Sequence, residues 1–189
     1  MHVREALPKD FRYFAMLQKQ AREEMQTNPD FPESFFLTPP SDKFRRSLFN
    51  QFYSDTRKGH NIFLVAEEGK RIIGYCRIRK AEIPDSELSH VGILGIRVEK
   101  SSRGHGVGTM LLKKALDASK GKFDIINLFV VNRDPKPKRL YKRFGFRTWG
   151  IAPGFVKRKG RYMDVEYMFL DLNKLNHGSA KAKTAKTGR

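Results

Sequence analysis

Arg103-Gly104-His105-Gly106-Val107-Gly108-Thr109 is the stretch on which the reading of this chain turns. An apolar run from Val91 to Val98 precedes it and reads as a strand; Met110 to Ala118 follows and reads as a helix. In a strand, glycine-rich turn and helix, the free N–H groups at the helix start point at an anion, and glycine lets the backbone come close to it. A pyrophosphate suits such a turn. No lysine stands between Gly108 and Thr109, so the segment is not a Walker loop. Thr109 also occupies the place of the third glycine in a dinucleotide fingerprint, which fits poorly. Taken alone, the segment could equally be a tight turn with no ligand.

A second stretch changes that balance. Leu140-Tyr141-Lys142-Arg143-Phe144-Gly145-Phe146 lies downstream, after another apolar strand from Asp124 to Val131. Arg103-x-x-Gly106-x-Gly108 resembles the Gln/Arg-x-x-Gly-x-Gly/Ala coenzyme loop of the GNAT superfamily of acetyl-CoA-dependent N-acetyltransferases, and Leu-Tyr-x-x-x-Gly-Phe resembles its second signature. Both occur in the family's order, and the resemblance covers about Val3 to Leu170.

Outward from these motifs, the chain reads as one domain over residues 1–172 with a basic tail over 173–189, whose Ala/Lys/Thr/Gly composition is too poor in apolar residues to fold alone. His2 to Ala6 suits a short strand. Phe11, Phe14, Gln18, Ala21 and Met25 recur at helical spacing, which predicts a helix from Lys9 to Glu24. Four prolines between Asn28 and Pro40 force a loop, and a second helix is expected from Ser41 to Arg57. Asn61–Glu67 and Arg71–Arg79 read as a β-hairpin, Gly121 as a helix C-cap, Pro135 as the start of a further helix, and Phe146–Ile151 and Tyr162–Leu170 as the last strands, joined by Lys157–Arg161. The order β, two helices, three strands, helix, strand, helix, two strands is that of a GNAT domain. The resemblance therefore implies an α/β fold with a mixed, mostly antiparallel sheet and a splayed central strand pair.

The charge is unusual: 38 Lys/Arg against 20 Asp/Glu, a formal +18. The tail holds five of these bases, whereas Arg133 to Arg161 holds eleven against Asp134 alone, so the excess is concentrated around the second signature and implies an anionic ligand or partner. The lone Cys76 cannot form an internal disulfide, no apolar run approaches the eighteen residues of a membrane span, and no secretory leader is apparent, so a cytoplasmic protein is expected. No zinc-ligand spacing, aromatic RNA-binding pattern or DNA-reading module is present.

The resemblance also implies roles for particular residues. Backbone groups of Ile96 and Val98, with Arg97 between them, would hold the pantetheine arm and the thioester carbonyl; Arg103, Gly104, His105, Gly106, Val107, Gly108 and Thr109 would form the pyrophosphate loop. It implies acetyl-CoA as donor, no metal, and direct transfer to an amine acceptor, protein, peptide or small molecule, in a ternary complex. Tyr141 falls where the family places the residue that protonates the coenzyme sulfur; a phenol is ordinarily protonated at neutral pH and can donate. Its alternative is to pack beside Phe144. Two positions depart from the pattern. Asp134 stands where an asparagine contacting the pantetheine is frequent, with Pro137 in place of an alanine, and Phe129 stands where several peptide N-terminal acetyltransferases carry a glutamate base. For the base, His90 at the head of the central strand is the leading candidate because it is largely neutral at neutral pH; Glu82, Glu87 and a water relay share the alternative. Phe31, Phe35 and Phe36 either staple their loop to the core or wall an acceptor pocket. Glu82, Asp85 and Glu87 could give that pocket local acidity. A second reading of the chain is a non-catalytic protein associated with nucleic acid or ribosomes through the basic rim and tail.

Overall fold

The computed structural model describes residues 1–28, 41–81, 87–131 and 135–174. Phe31, Phe35, Phe36, Glu82, Asp85 and Asp134 lie outside these residues, as does the tail from 175. Seven strands form one sheet: β1 (His2–Glu5), β2 (Ile62–Glu68), β3 (Arg71–Lys80), β4 (Val91–Val98), β5 (Ile125–Val131), β6 (Arg147–Arg158) and β7 (Arg161–Asp171), in the order β1-β2-β3-β4-β5-β7-β6. Every neighbouring pair is antiparallel except β4 with β5, so the sheet is mixed and mostly antiparallel.

Helices α1 (Phe11–Thr27) and α2 (Asp42–Arg57) cover one face of β1–β3. Their apolar stripe delivers Phe14, Leu17, Phe49 and Phe52 onto Phe63 and Tyr75, and the rings meet edge-on: Phe49 sits 5.4 Å from Phe14 and 5.3 Å from Phe63. Such ring pairs add to the burial of their area. α2 starts at an N-cap, Ser41, whose hydroxyl accepts from the Phe44 N–H at 3.2 Å. On the opposite face, α3 (Val107–Ser119) and α4 (Pro135–Arg143) pack Leu111, Leu112, Ala115 and Tyr141 over Cys76, Ile78, Leu94, Ile126, Leu128 and Met168.

Several boundaries differ from those expected. α3 starts at Val107, three residues earlier than Met110, because Gly106 at φ 81° serves as its N-cap and Val107 is buried at once. Gly121, at φ 74°, stands one place beyond the C-cap Lys120. β6 runs on to Arg158, well past Ile151, through register shifts between Thr148 and Gly150 and between Ala152 and Val156. Lys157–Arg161 is therefore mostly strand, and the reversal is made by Lys159 and Gly160 alone, both at positive φ.

The central feature is the junction of β4 and β5. They pair only from Val91↔Ile125 to Ile93↔Asn127, although β4 continues to Val98 and β5 to Val131. Beyond that rung the two strands part.

Candidate active site

The parting of β4 and β5 opens a cleft of ≈ 1810 Å³. Ordinary ligand pockets hold roughly 300–1,000 Å³, so this one has room for two reactants. Backbone direction decides what β4 offers to it. Val91 C=O accepts from Ala81 N–H at 2.9 Å and Glu99 N–H donates to Ile73 C=O at 2.8 Å, so the odd-numbered residues of β4 turn their polar groups toward β3. By the two-residue alternation of a strand, those of Leu94, Ile96 and Val98 point across the split. Ile96 and Val98 are thus placed where the sequence reading expected them.

At the far end of β4 lies the glycine turn. Gly104 and Gly106 have φ of 83° and 81°, conformations that other residues adopt only with strain, and a Cβ on either would meet nothing within 4 Å. The open space above them is where an anion would approach the first N–H groups of α3. Gly104, Gly106, Gly108 and Thr109 line the cleft, together with Lys100, Lys136, Arg139 and Arg143. Arg143 is positioned by donating to the Thr109 hydroxyl at 3.2 Å, which ties α4 to the first turn of α3. Part of the basic excess around the second signature therefore faces this cleft.

Of the other expected residues, Arg97, Arg103 and Tyr141 also line the cleft. Arg103 binds Glu24 of α1 through both terminal nitrogens, at 2.5 and 2.7 Å, and donates from Nε to the Val98 carbonyl at 3.1 Å; its side chain braces the turn against α1 and β4. His105 is exposed and Val107 is buried beneath the turn, and neither lines the cleft. Arg97 turns to the α1 side, nearly buried, with its guanidinium 5.8 Å from the Tyr75 ring. Tyr141 lines the cleft and is almost fully buried; its ring packs on Phe146 at 5.8 Å, in a core cluster against which Phe144 also packs.

His90 requires a correction. It precedes Val91, at the end where β4 and β5 are still paired, and it is absent from the cleft lining; Glu87 sits on the same short 3-10 turn, also outside. His90 C=O accepts from Asp124 N–H at 2.9 Å, at the closed end of a split that opens only after Ile93. Among the described residues, Glu23 and Glu24 are the acids that line the cleft, and Glu24 is held by Arg103. Cys76 is fully buried under α3, and burial pushes its thiol well above the ordinary range, so it is no nucleophile.

Behind α4, Glu166 of β7 accepts from Thr148 at 2.5 Å and from Lys138 at 3.0 Å. Burial raises its pKa, but the Thr148 and Lys138 hydrogen bonds and the Lys138 and Lys142 charges outweigh it and hold the carboxyl below the usual range. Sequence reading missed this tie, because three polar residues far apart in the chain carry no local signal. It also missed Arg77, which lines the cleft from β3 and looks in sequence like an ordinary solvent-facing strand position.

The acetyltransferase (GNAT) family matches this sequence over residues 23–146. The chain belongs to the GNAT family. Among its GNAT relatives, an L-amino acid N-acetyltransferase of Escherichia coli K12 is 28% identical over 107 residues, which is 56% of this chain and 65% of that one. The N-alpha-acetyltransferase RimI of Mycobacterium tuberculosis is 26% identical over 110 residues, 58% of this chain and 66% of that one. The chain thus spans just under two thirds of each. A Salmonella typhimurium acetyltransferase solved with its cofactor acetyl-CoA superimposes with a TM-score of 0.76 at 18% identity, over 91% of this chain and 94% of that one. Among the described residues, no helix is long and apolar enough to cross a membrane, and no group of three or more His, Cys, Asp or Glu side chains is placed to hold a metal ion.

Proposed function

We propose that this GNAT chain transfers the acetyl group of acetyl-CoA to a primary amine by direct attack, with both reactants bound in the one cleft. The observation that carries this is the split after Ile93 and Asn127, with the polar groups of Ile96 and Val98 along one lip, the Val98 carbonyl accepting from Arg103, and the glycine turn at its end. The amides from Gly104 to Thr109 hold the pyrophosphate, aided by Lys100, Arg139 and Arg143. Ile96 and Val98 hold the pantetheine arm and polarise the thioester carbonyl.

The amine nitrogen forms the new C–N bond as the C–S bond breaks. Tyr141 gives its hydroxyl proton to the departing sulfur and regains one from solvent. The proton shed by the amine passes to water, since the cleft acid nearest the turn, Glu24, is engaged with Arg103.

Calorimetric titration of acetyl-CoA into the wild type and Gly106→Glu, followed by thiol release with a panel of amines, tests this reading. Micromolar binding that the glutamate abolishes by at least 100-fold is expected. A wild type that binds no acetyl-CoA would sink it.

A further inference from the structure

The acceptor half of the cleft lies on the face of the sheet that α1 and α2 cover over β1–β3 and leave bare over β5, β7 and β6. One rung crosses it. Arg77 of β3 pairs with Gly95 of β4; the parallel register that sets Ile93 beside Asn127 brings Gly95 level with Phe129; Phe129 pairs with Tyr167 of β7. The alternation of side chains puts all four on this one face.

Each member of the rung is unusual for its place. Arg77 is half-buried in the cleft with its guanidinium 4.9 Å over the Phe52 ring, and among the described residues it has no carboxylate partner. A guanidinium so held, over an aromatic ring and partly desolvated, is suited to pair with a carboxylate. Gly95 lets the Arg77 side chain lie close over β4, since a Cβ there would stand 3.2 Å from Arg77 Nε. Gly95 adjoins Ile96, whose polar groups point into the split.

Across the split, Phe129 lines the cleft and, with Trp149 and Phe155 on the adjoining surface, surrounds Tyr167 at 6.2, 5.6 and 6.4 Å between ring centroids. They remain 55%, 62% and 66% exposed. Trp149 is the extra residue of the bulge between Thr148 and Gly150, which turns its ring outward onto this face. A cluster of aromatics left this open marks a binding surface.

We propose that this rung is the acceptor subsite, and that it selects a free α-amino acid with a large apolar side chain. The inference rests on the acetyl-transfer reading above and adds the acceptor's chemistry to it. Arg77 takes the α-carboxylate in a bidentate pair, the aromatic cluster takes the side chain, and the amine faces the split beside Ile96. Arg77 and Phe129 stand two strand spacings apart, on the order of 10 Å before the splay, which a compact amino acid bridges. A protein N-terminus has a neutral peptide group where the carboxylate belongs, and a polyamine places a cation against Arg77.

The experiment is thiol release at saturating acetyl-CoA with L-phenylalanine, L-phenylalaninamide, glycine and spermidine, with rates compared per neutral amine. L-Phenylalanine should exceed the amide and glycine at least tenfold in kcat/KM. Arg77→Met should bring the acid-to-amide preference to within about twofold while acetyl-CoA affinity, measured by calorimetry, is kept, and Arg77→Lys should restore part of the preference. Trp149→Ser should raise KM for L-phenylalanine and not for glycine. Equal use of the amide, preference for spermidine, or an Arg77→Met variant that keeps the preference overturns the proposal while leaving acetyl transfer standing. Absence of acetyl-CoA binding, or of thiol release with any amine, removes both. If the chain is a dimer that Trp149→Ser dissociates with KM unchanged, the aromatic face belongs to a second copy and the side-chain assignment fails.

Discussion

At the scale of single residues, the cleft separates groups that touch reactants from groups that hold them in place. Tyr141 lines the cleft, while its ring is fixed against Phe146, so its hydroxyl is presented from a rigid wall. Loss of that hydroxyl alone should slow the chemistry and spare binding: Tyr141→Phe is expected to lower kcat by roughly 10²-fold, the low end for one proton-transfer group, with acetyl-CoA affinity by calorimetry unchanged. His90 gives the opposite expectation. Because it stands behind the last β4–β5 pair, His90→Ala should leave the pH profile of kcat/KM where it was, rising toward the pKa of the amine itself with no inflection from an imidazole. A lost acid limb in that profile would reinstate the histidine.

At the scale of elements, α3 and α4 are each fixed at the end that matters for the cleft. Arg103 braces the turn before α3 through Glu24 and the Val98 carbonyl, and Lys138 fixes α4 to β7 through Glu166, itself held by Thr148 of β6. The Glu166 carboxyl is held below its ordinary value of 4.5, so it binds protons less readily folded than unfolded. Its stabilising contribution is complete above about 4.5 and is lost as pH falls through the lowered folded value. Denaturant unfolding from pH 6 down to pH 3 should show stability falling in that window, and Glu166→Gln should flatten the fall. An unchanged slope in the variant would show that other carboxylates carry the acid sensitivity.

At the scale of the whole molecule, the sheet is clamped by two separate cores, one under α1 and α2 and one under α3 and α4, and the split lies between their reach. The first core is built on rings. Phe49 is 1% exposed and meets Phe11, Phe14 and Phe63 edge-on, so Phe49→Ala removes the piece that joins α2 to α1 and the sheet. Urea unfolding should report a loss of about 3–5 kcal/mol. A loss below about 1 kcal/mol would mean that α2 is held by something other than this cluster.

The sequence by itself determined the order of elements, the glycine turn and the second signature, because local spacing writes them: alternation for strands, three-to-four recurrence for helices, and glycine where the backbone must turn left-handed. Roles for Ile96 and Val98 came from the family resemblance, and the direction of their backbone groups follows from strand alternation only once the pairing of β4 with β3 is known. Tertiary structure alone decided where the split begins, and with it the exclusion of His90 and the inclusion of Arg77. Pairing between β4 and β5 joins residues as far apart as Val91 and Ile125, and no local pattern states where it stops. The same holds for the tie of Arg103 to Glu24, 79 residues away, which no local pattern states. The bulge that turns Trp149 outward depends on register with β7, so the aromatic face beside the cleft exists only once the strands are paired.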